Sequence, residues 1–166
     1  MSNLNLKKRT AKPKIGLLAT GHLIYWDQFP GLKDMCMKMY GELIAHLENI
    51  GDVVSPGLVD TKEKSENAGK YFRKEEIDII LVCPLGYTTG MVLLPCVKQL
   101  DVPIRILNTH IDSSYDLKTA DTTEYLYHEG PCCIPEYAAG LMTIEKKFIV
   151  RTGPFSSQRF WDEVRA

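Results

Sequence analysis

Hydrophobic and polar positions along the chain follow two alternating patterns. Short, nearly continuous apolar runs are typical of buried strands in a parallel sheet. Between them, apolar residues recur every three or four positions, which is typical of amphipathic helices. The predicted strands are residues 14–19, 53–59, 78–83, 103–108 and 148–150. Strands that alternate with helices in this way predict an α/β fold.

The helical pattern varies in strength along the chain. The predicted helices are residues 32–50, 62–76, 88–100, 134–144 and a last one capped by Ser156 or Ser157. Pro95 lies inside the third of these and should kink it or make it begin late. The polar connection 109–130 is long for a compact domain, so we expect it to be functional or partly helical.

These elements predict one three-layer α/β/α domain, flavodoxin-like or Rossmann-like, over residues 14–166. We expect about five parallel strands in the order 2-1-3-4-5, with helices on both faces. Residues 1–13 are locally basic and are predicted to form a tail. The last helix carries Phe160 and Trp161 but has no stop signal, so we expect this domain to be the first of a longer multidomain protein.

Composition narrows the function classes. The chain has 166 residues, 45% of them hydrophobic, with a net charge of −1, which excludes a disordered chain and gives no attraction to nucleic acid or anionic membranes. No apolar stretch approaches the roughly 20 residues that span a bilayer, and no signal peptide is recognisable. We therefore expect a cytoplasmic protein. Five cysteines without a C-x-x-C motif predict reduced thiols, mostly in the core.

Ligands of open parallel sheets bind at the carboxyl ends of the strands, so the loops there are the candidate sites. The loop after the first strand carries His22, Tyr25 and Trp26. Aromatic faces and hydrogen-bonding tips suit the C–H faces and hydroxyl groups of a sugar. The alternative is that Tyr25, Trp26 and Phe29 form a hydrophobic plug under the first helix. Residue type alone leaves both interpretations open.

The other loops carry weaker signals. Neither G-x-G-x-x-G nor G-x-x-x-x-G-K-[ST] is present, which argues against a flavin or nucleotide protein. Asp60 is then best explained as a solvated helix cap, and Thr88 and Thr89 as caps of the next helix. His110 and Asp112 are too few for a metal site, because three or four ligands must converge.

Residues 125–137 contain the densest group of reactive side chains, including Glu129, Cys132 and Cys133. Adjacent residues point in different directions on a strand or a helix, so neighbours rarely share one ligand. A catalytic cysteine would also need a base positioned to activate its thiolate. We therefore predict no metal site and no catalytic residue in this chain.

Three motifs in order carry a family resemblance. Residues 14–25 (KIGLLATGHLIY) are similar to a first strand that ends in a glycine, a polar residue and a tyrosine. Residues 135–138 (PEYA) resemble an Arg-Glu-Phe-Gly motif that begins a helix, and residues 147–153 (KFIVRTG) resemble the strand and Thr-Gly that follow. In this order and spacing the motifs resemble the N-terminal domain of the L-fucose isomerase and L-arabinose isomerase superfamily.

The resemblance implies an enzyme that interconverts an aldose and a ketose through an enediol, with a divalent metal, usually manganese. In the family the metal ligands and the acid–base carboxylates lie in later domains, so residues 1–166 alone would be inactive and would bind no metal. The first domain contributes substrate contacts to a site completed across a subunit interface. The implied partners are a sugar substrate and further copies of the chain in a homo-oligomer.

The resemblance also implies the substrate contacts. Tyr25 matches a family tyrosine, His22 and Glu129 stand at glutamine positions of arabinose isomerases, and Cys132 stands at a histidine position. Trp26 is added from its chemistry and its place beside Tyr25. The departures at His22, Glu129 and Cys132 leave the identity of the sugar open. The alternative function is a non-catalytic sugar or small-ligand binding module, which flavodoxin-like folds also form.

Overall fold

The computed structural model describes residues 12–112 and 114–166, so most of the predicted basic tail, residues 1–11, lies outside the described residues. The described chain forms one sheet of six parallel strands. The strands are β1 (Lys14–Thr20), β2 (Asp52–Val54), β3 (Leu58–Val59), β4 (Ile79–Pro84), β5 (Ile104–Asn108) and β6 (Phe148–Thr152).

Helices cover both faces of the sheet, which confirms the predicted three-layer α/β fold. They are α1 (Ile24–Gln28), α2 (Leu32–Leu47), α3 (Lys62–Glu75), α4 (Leu94–Val97), α5 (Thr122–His128), α6 (Ile134–Thr143) and α7 (Gln158–Arg165). Buried side chains of α2, α5 and α7 form one core cluster, and those of α3, α4 and α6 form the other. In the described part of the chain, no helix combines the length and the apolar character needed to cross a membrane.

The strand order is β2-β1-β4-β5-β6, and β3 pairs separately with β1. It corresponds to the predicted order except that the second predicted strand is divided in two. Two features divide it: Gly57 adopts a positive φ of 87°, and the Ser55 hydroxyl donates to the Leu17 carbonyl oxygen of β1 at 2.8 Å. A residue with positive φ interrupts an extended strand, so β2 and β3 pair with different parts of β1.

Alternation along the strands sorts the core between the two layers. In β1, Leu17 and Ala19 pack into the cluster that contains α2, whereas Leu18 packs into the cluster that contains α3. Gly16 faces that second layer, where an added Cβ would lie 2.6 Å from the Ile77 side chain. Both faces of β1 are therefore buried, as its apolar run predicts.

The third predicted helix is shorter than the sequence pattern predicts. It consists of a 3-10 turn at Gly90–Val92 followed by the four residues of α4, with Pro95 in the first turn of α4. This agrees with the expected late start at the proline. The long connection 109–130 is partly helical, since it contains α5. Asp121 caps this helix by accepting from the Glu124 N–H at 2.8 Å. At the last helix, Ser157 is the cap and accepts from the Phe160 N–H at 3.2 Å.

The strand order reverses between β1 and β4. The chain continues from β1 toward β2 on one side of this point and from β4 toward β5 on the other. Ligands of doubly wound sheets bind at such a point, beyond the carboxyl ends of the two central strands. The loops after Thr20 and after Pro84 lie there. The fold therefore selects these two loops for closer description.

Candidate functional site

An aromatic cluster occupies the carboxyl ends of β1 and β4. The His22 and Tyr25 rings are 5.0 Å apart edge to face, and the Tyr87 ring is 5.9 Å from Tyr25 and 6.5 Å from His22. All three side chains are half-buried. His22 and Tyr25 follow β1, whereas Tyr87 follows β4, so this cluster is built across the point where the strand order reverses. We call His22, Tyr25 and Tyr87 the ring cluster.

Tyr25 also packs toward the interior. Its ring lies 5.6 Å from Phe29 in an edge-to-face contact, and both residues pack against the core cluster on the α2 side. The hydrophobic-plug interpretation therefore describes one side of the Tyr25 ring. The partial exposure of His22, Tyr25 and Tyr87 leaves the other side of the ring cluster accessible.

Trp26 lies beside the ring cluster, but its polar atom is already engaged. The indole Nε1–H donates to Asp60 Oδ2 at 2.8 Å, and the Lys64 ammonium lies 2.7 Å from Asp60 Oδ1. Asp60 is only 2% exposed, so the prediction of a solvated helix cap is wrong. A buried carboxylate needs such partners; the cap of α3 is instead Thr61, which accepts from the Lys64 N–H.

Buried hydroxyl groups hold the base of the loop that follows β1. The hydroxyls of Thr20 and Tyr137 are 2.8 Å apart and fully buried. The Thr88 hydroxyl donates to the Gly21 carbonyl oxygen at 2.8 Å. The prediction that Thr88 caps the next helix is therefore wrong, and Thr89, which does precede the 3-10 turn, makes no side-chain cap bond. We call Thr20, Thr88 and Tyr137 the hydroxyl network. This network links β1, β4 and α6.

Glu129 and Cys132 form a second polar group near the ring cluster. The Cys132 thiol donates to Glu129 Oε2, and Glu129 also raises the pKa of Tyr125 through its charge and a hydrogen bond. Burial, and then Tyr25, Cys133, Glu136 and Cys132, raise the pKa of Tyr87. The fold therefore brings the predicted contacts together as two pairs, His22 with Tyr25 and Glu129 with Cys132, and Tyr87 adds a third ring to the first pair.

The cysteines are all free, and four of the five are buried, which confirms the prediction from their number and spacing. Burial raises the pKa of Cys36, Cys96 and Cys133 to about 12. The hydrogen bond to Glu129, followed by burial, raises the pKa of exposed Cys132. Because the thiolate is the nucleophile, these environments disfavour cysteine-based catalysis.

Replacing Glu129 by glutamine is expected to speed the alkylation of Cys132 by iodoacetamide several-fold at pH 8. The change removes the carboxylate that raises the Cys132 pKa, so a larger fraction of the thiol ionises at a given pH. The rate is measured by mass spectrometry of the labelled peptide under native conditions. Glu136→Gln is the matched control, since Glu136 accepts from the Gly90 N–H instead. An equal acceleration in both variants would contradict this assignment.

Apolar side chains are exposed around the two groups. Leu23 and Ile24, which lie between His22 and Tyr25, are 49% and 54% exposed, and Met91 and Tyr125 are each 49% exposed. Exposed apolar residues that border a polar site are typical of surfaces that a partner covers.

Among the residues that the structure describes, no set of metal ligands surrounds the ring cluster. Its nearby carboxylates are occupied, Glu129 by Cys132 and Glu136 by the Gly90 N–H at 2.6 Å. A convergent His and Asp group exists elsewhere in the described chain, at His110, Asp112 and His128.

Comparison of the sequence with models of protein families finds no match, and comparison with curated proteins finds none either. The class that the fold itself defines is an α/β domain with a parallel, flavodoxin-like sheet and an aromatic and polar site at its reversal point.

Proposed function

We propose that the chain is the N-terminal domain of a metal-dependent aldose–ketose isomerase of the L-fucose or L-arabinose isomerase type. In this proposal the domain supplies substrate contacts, whereas later domains supply the metal and the acid–base carboxylates. The observation that supports it best is the ring cluster, which lies where the fold places ligands and combines aromatic faces with hydrogen-bonding tips.

The ring cluster has the chemistry that a sugar needs. Sugars present C–H groups on their faces and hydroxyl groups at their edges. The Tyr25 and Tyr87 rings offer apolar faces, and their hydroxyls together with the His22 nitrogens offer donors and acceptors. In the proposed role Tyr25 is the central contact, since its ring touches both of the others. Trp26 contributes through Asp60, as a residue that positions the loop.

The exposed apolar rim supports a shared site. Leu23 and Ile24 flank Tyr25 and are about half exposed, and Tyr125 is similarly exposed beside Glu129. A second subunit placed on this rim would bury these side chains and would enclose a sugar held by the ring cluster. The proposal therefore includes a homo-oligomer, and it retains the cytoplasmic location expected from the sequence.

The catalytic step belongs to the later domains in this proposal. Residues of those domains would hold a divalent metal such as manganese, which would polarise the carbonyl and hydroxyl oxygens, and a carboxylate there would move the proton between neighbouring carbons. The residues of the ring cluster do not form a metal site, so their part is to bind and orient the sugar. In the proposal, Glu129 and Cys132 contact the same substrate from the second polar group.

The test uses the product of the complete gene, assayed for aldose–ketose exchange on L-fucose, L-arabinose and D-arabinose with and without manganese. We expect metal-dependent exchange and a roughly tenfold lower kcat/KM for Tyr25→Ala, because the variant loses one ring contact and one hydrogen bond. Tyr40→Ala is the matched control, since Tyr40 is a half-buried tyrosine of α2.

Two outcomes would overturn the proposal. A full-length product that binds the sugars without exchanging them would favour a non-catalytic binding module. Exchange that Tyr25→Ala and Tyr40→Ala affect equally would remove the ring cluster from the substrate site, even though the enzyme assignment would stand.

A further inference from the structure

Folding brings three potential metal ligands together beyond the end of β5. His110 and Asp112 follow this strand, and His128 is the last residue of α5. One ligand atom from each residue can be chosen so that all three lie within 4.8 Å of one another. Asp112 Oδ2 is 3.6 Å from His110 Nδ1 and 3.7 Å from His128 Nε2.

The two imidazole rings are held in place but are incompletely bonded. His128 Nδ1 lies 2.8 Å from the Glu124 carbonyl oxygen, so it donates there and leaves the lone pair on Nε2. His110 Nδ1 accepts from the Asp112 N–H at 3.1 Å. The Nε2 atoms of both rings are buried and have no hydrogen-bond partner among the described residues. In the neutral form in which His110 Nδ1 accepts, His110 Nε2 carries the proton, so coordination through His110 requires Nδ1 to exchange the Asp112 N–H for the ion. A buried lone pair without a partner costs free energy, so His128 Nε2 calls for a ligand.

Aromatic neighbours hold the two imidazole rings in place. The Tyr115 ring stacks on His128 at 4.2 Å, and the Tyr127 ring contacts His110 edge to face at 4.3 Å. These contacts restrict the orientations that the two rings can adopt.

We propose that His110, Asp112 and His128 bind a divalent transition-metal ion, in the first place Zn²⁺. Two imidazole nitrogens and one carboxylate oxygen are a donor set that favours zinc over magnesium or calcium. Zinc bonds of about 2.0–2.1 Å in a tetrahedron separate the ligand atoms by roughly 3.3–3.4 Å. The present distances from Asp112 Oδ2 exceed this by only a few tenths of an ångström.

The site leaves a fourth coordination position for water or a ligand. His110 and Asp112 line a cleft of about 260 Å³ together with Thr152, Gly153 and Pro131. An ion held here would face the carboxyl ends of β5 and β6, apart from the ring cluster at β1 and β4. This proposal does not depend on the proposed isomerase function, whose metal would be held by later domains.

The test is isothermal titration of zinc chloride into the 166-residue chain, with thermal unfolding as a second readout. We expect one zinc ion per chain and a raised Tm, with no such effect from magnesium chloride. Asp112→Asn and His128→Gln should each weaken zinc affinity by about tenfold or more. His46→Gln is the matched control, because His46 stacks on Trp161 in another part of the fold.

Asp112→Asn keeps the test decisive, because Asp112 has a half-exposed side chain and its loss does not open the core. Cobalt(II) absorption adds a direct readout: a tetrahedral spectrum in the unaltered chain should be lost in this variant. Zinc binding that survives both Asp112→Asn and His128→Gln would overturn the proposal. Binding abolished by Cys132→Ser would also overturn it, since the ion would then be held by the exposed thiol.

Discussion

Phe72→Ala is expected to lower the free energy of unfolding by about 3–5 kcal/mol. The Phe72 side chain is fully buried in the layer formed by α3, α4 and α6, where it packs in the same cluster as Leu18 and Ile80. Gly16 lets the ring approach β1 closely, since a Cβ there would lie 3.1 Å from it. The strand backbone cannot move in to fill the space, so the variant retains a cavity. Because the free energy of unfolding of a small domain is only about 5–15 kcal/mol, the expected loss is a large part of it.

Urea denaturation followed by circular dichroism measures this loss. Tyr71→Ala is the matched control: Tyr71 precedes Phe72 on α3, but its side chain is only partly buried against the same cluster. We expect a clearly smaller loss for Tyr71→Ala and similar denaturant slopes for both variants. Equal losses would mean that the α3 layer is not packed around Phe72 as described.

Much of the fold was predictable, because the hydrophobic residues of each strand and helix follow the pattern typical of that element. The apolar runs, the stripe of α2 and the cap at Ser157 are local signals, and the structure confirms them. The division of the second predicted strand depends on a Ser55 hydroxyl that bonds across to the Leu17 carbonyl. That partner lies 38 residues earlier in the chain, so the local pattern does not reveal it.

The candidate site was predictable only where one loop carries it. The strand-end rule selected His22 and Tyr25, but Tyr87 joins them from the loop after β4 through the strand order. The sequence favours a solvated helix cap for Asp60, because the glycine motifs that accompany a ribose-binding acid are absent. Its burial follows from the indole of Trp26, a partner 34 residues away.

The metal ligands illustrate the same limit. His110 and Asp112 lie two residues apart, so the sequence pattern offers two ligands where a metal site needs three or four. His128 reaches them because α5, within the long polar connection, folds back beside the end of β5. A side-chain group drawn from a loop and a helix end has no fixed spacing that a sequence pattern could reveal.

The hydroxyl network leads to the second large effect that we expect. Tyr137→Phe should lower the free energy of unfolding by about 1–3 kcal/mol, because it leaves the Thr20 hydroxyl without its partner at 2.8 Å in a fully buried position. Thr20→Val should cost less, because the Tyr137 hydroxyl keeps its hydrogen bond to Thr88. Burial raises the pKa of Tyr137, so its hydroxyl stays protonated at neutral pH.

The double variant separates the hydrogen bond from the packing of the two side chains. When both hydroxyls are removed, neither leaves an unpaired partner, so Tyr137→Phe with Thr20→Val should lose clearly less than the sum of the single losses. Strict additivity in urea denaturation would contradict the direct contact between the two hydroxyls. Because Thr20 directly precedes Gly21 and His22, the single variants should also loosen the loop that carries the ring cluster. Faster amide exchange at His22 and Tyr25, restored toward normal in the double variant, would link the buried hydroxyls to the candidate site.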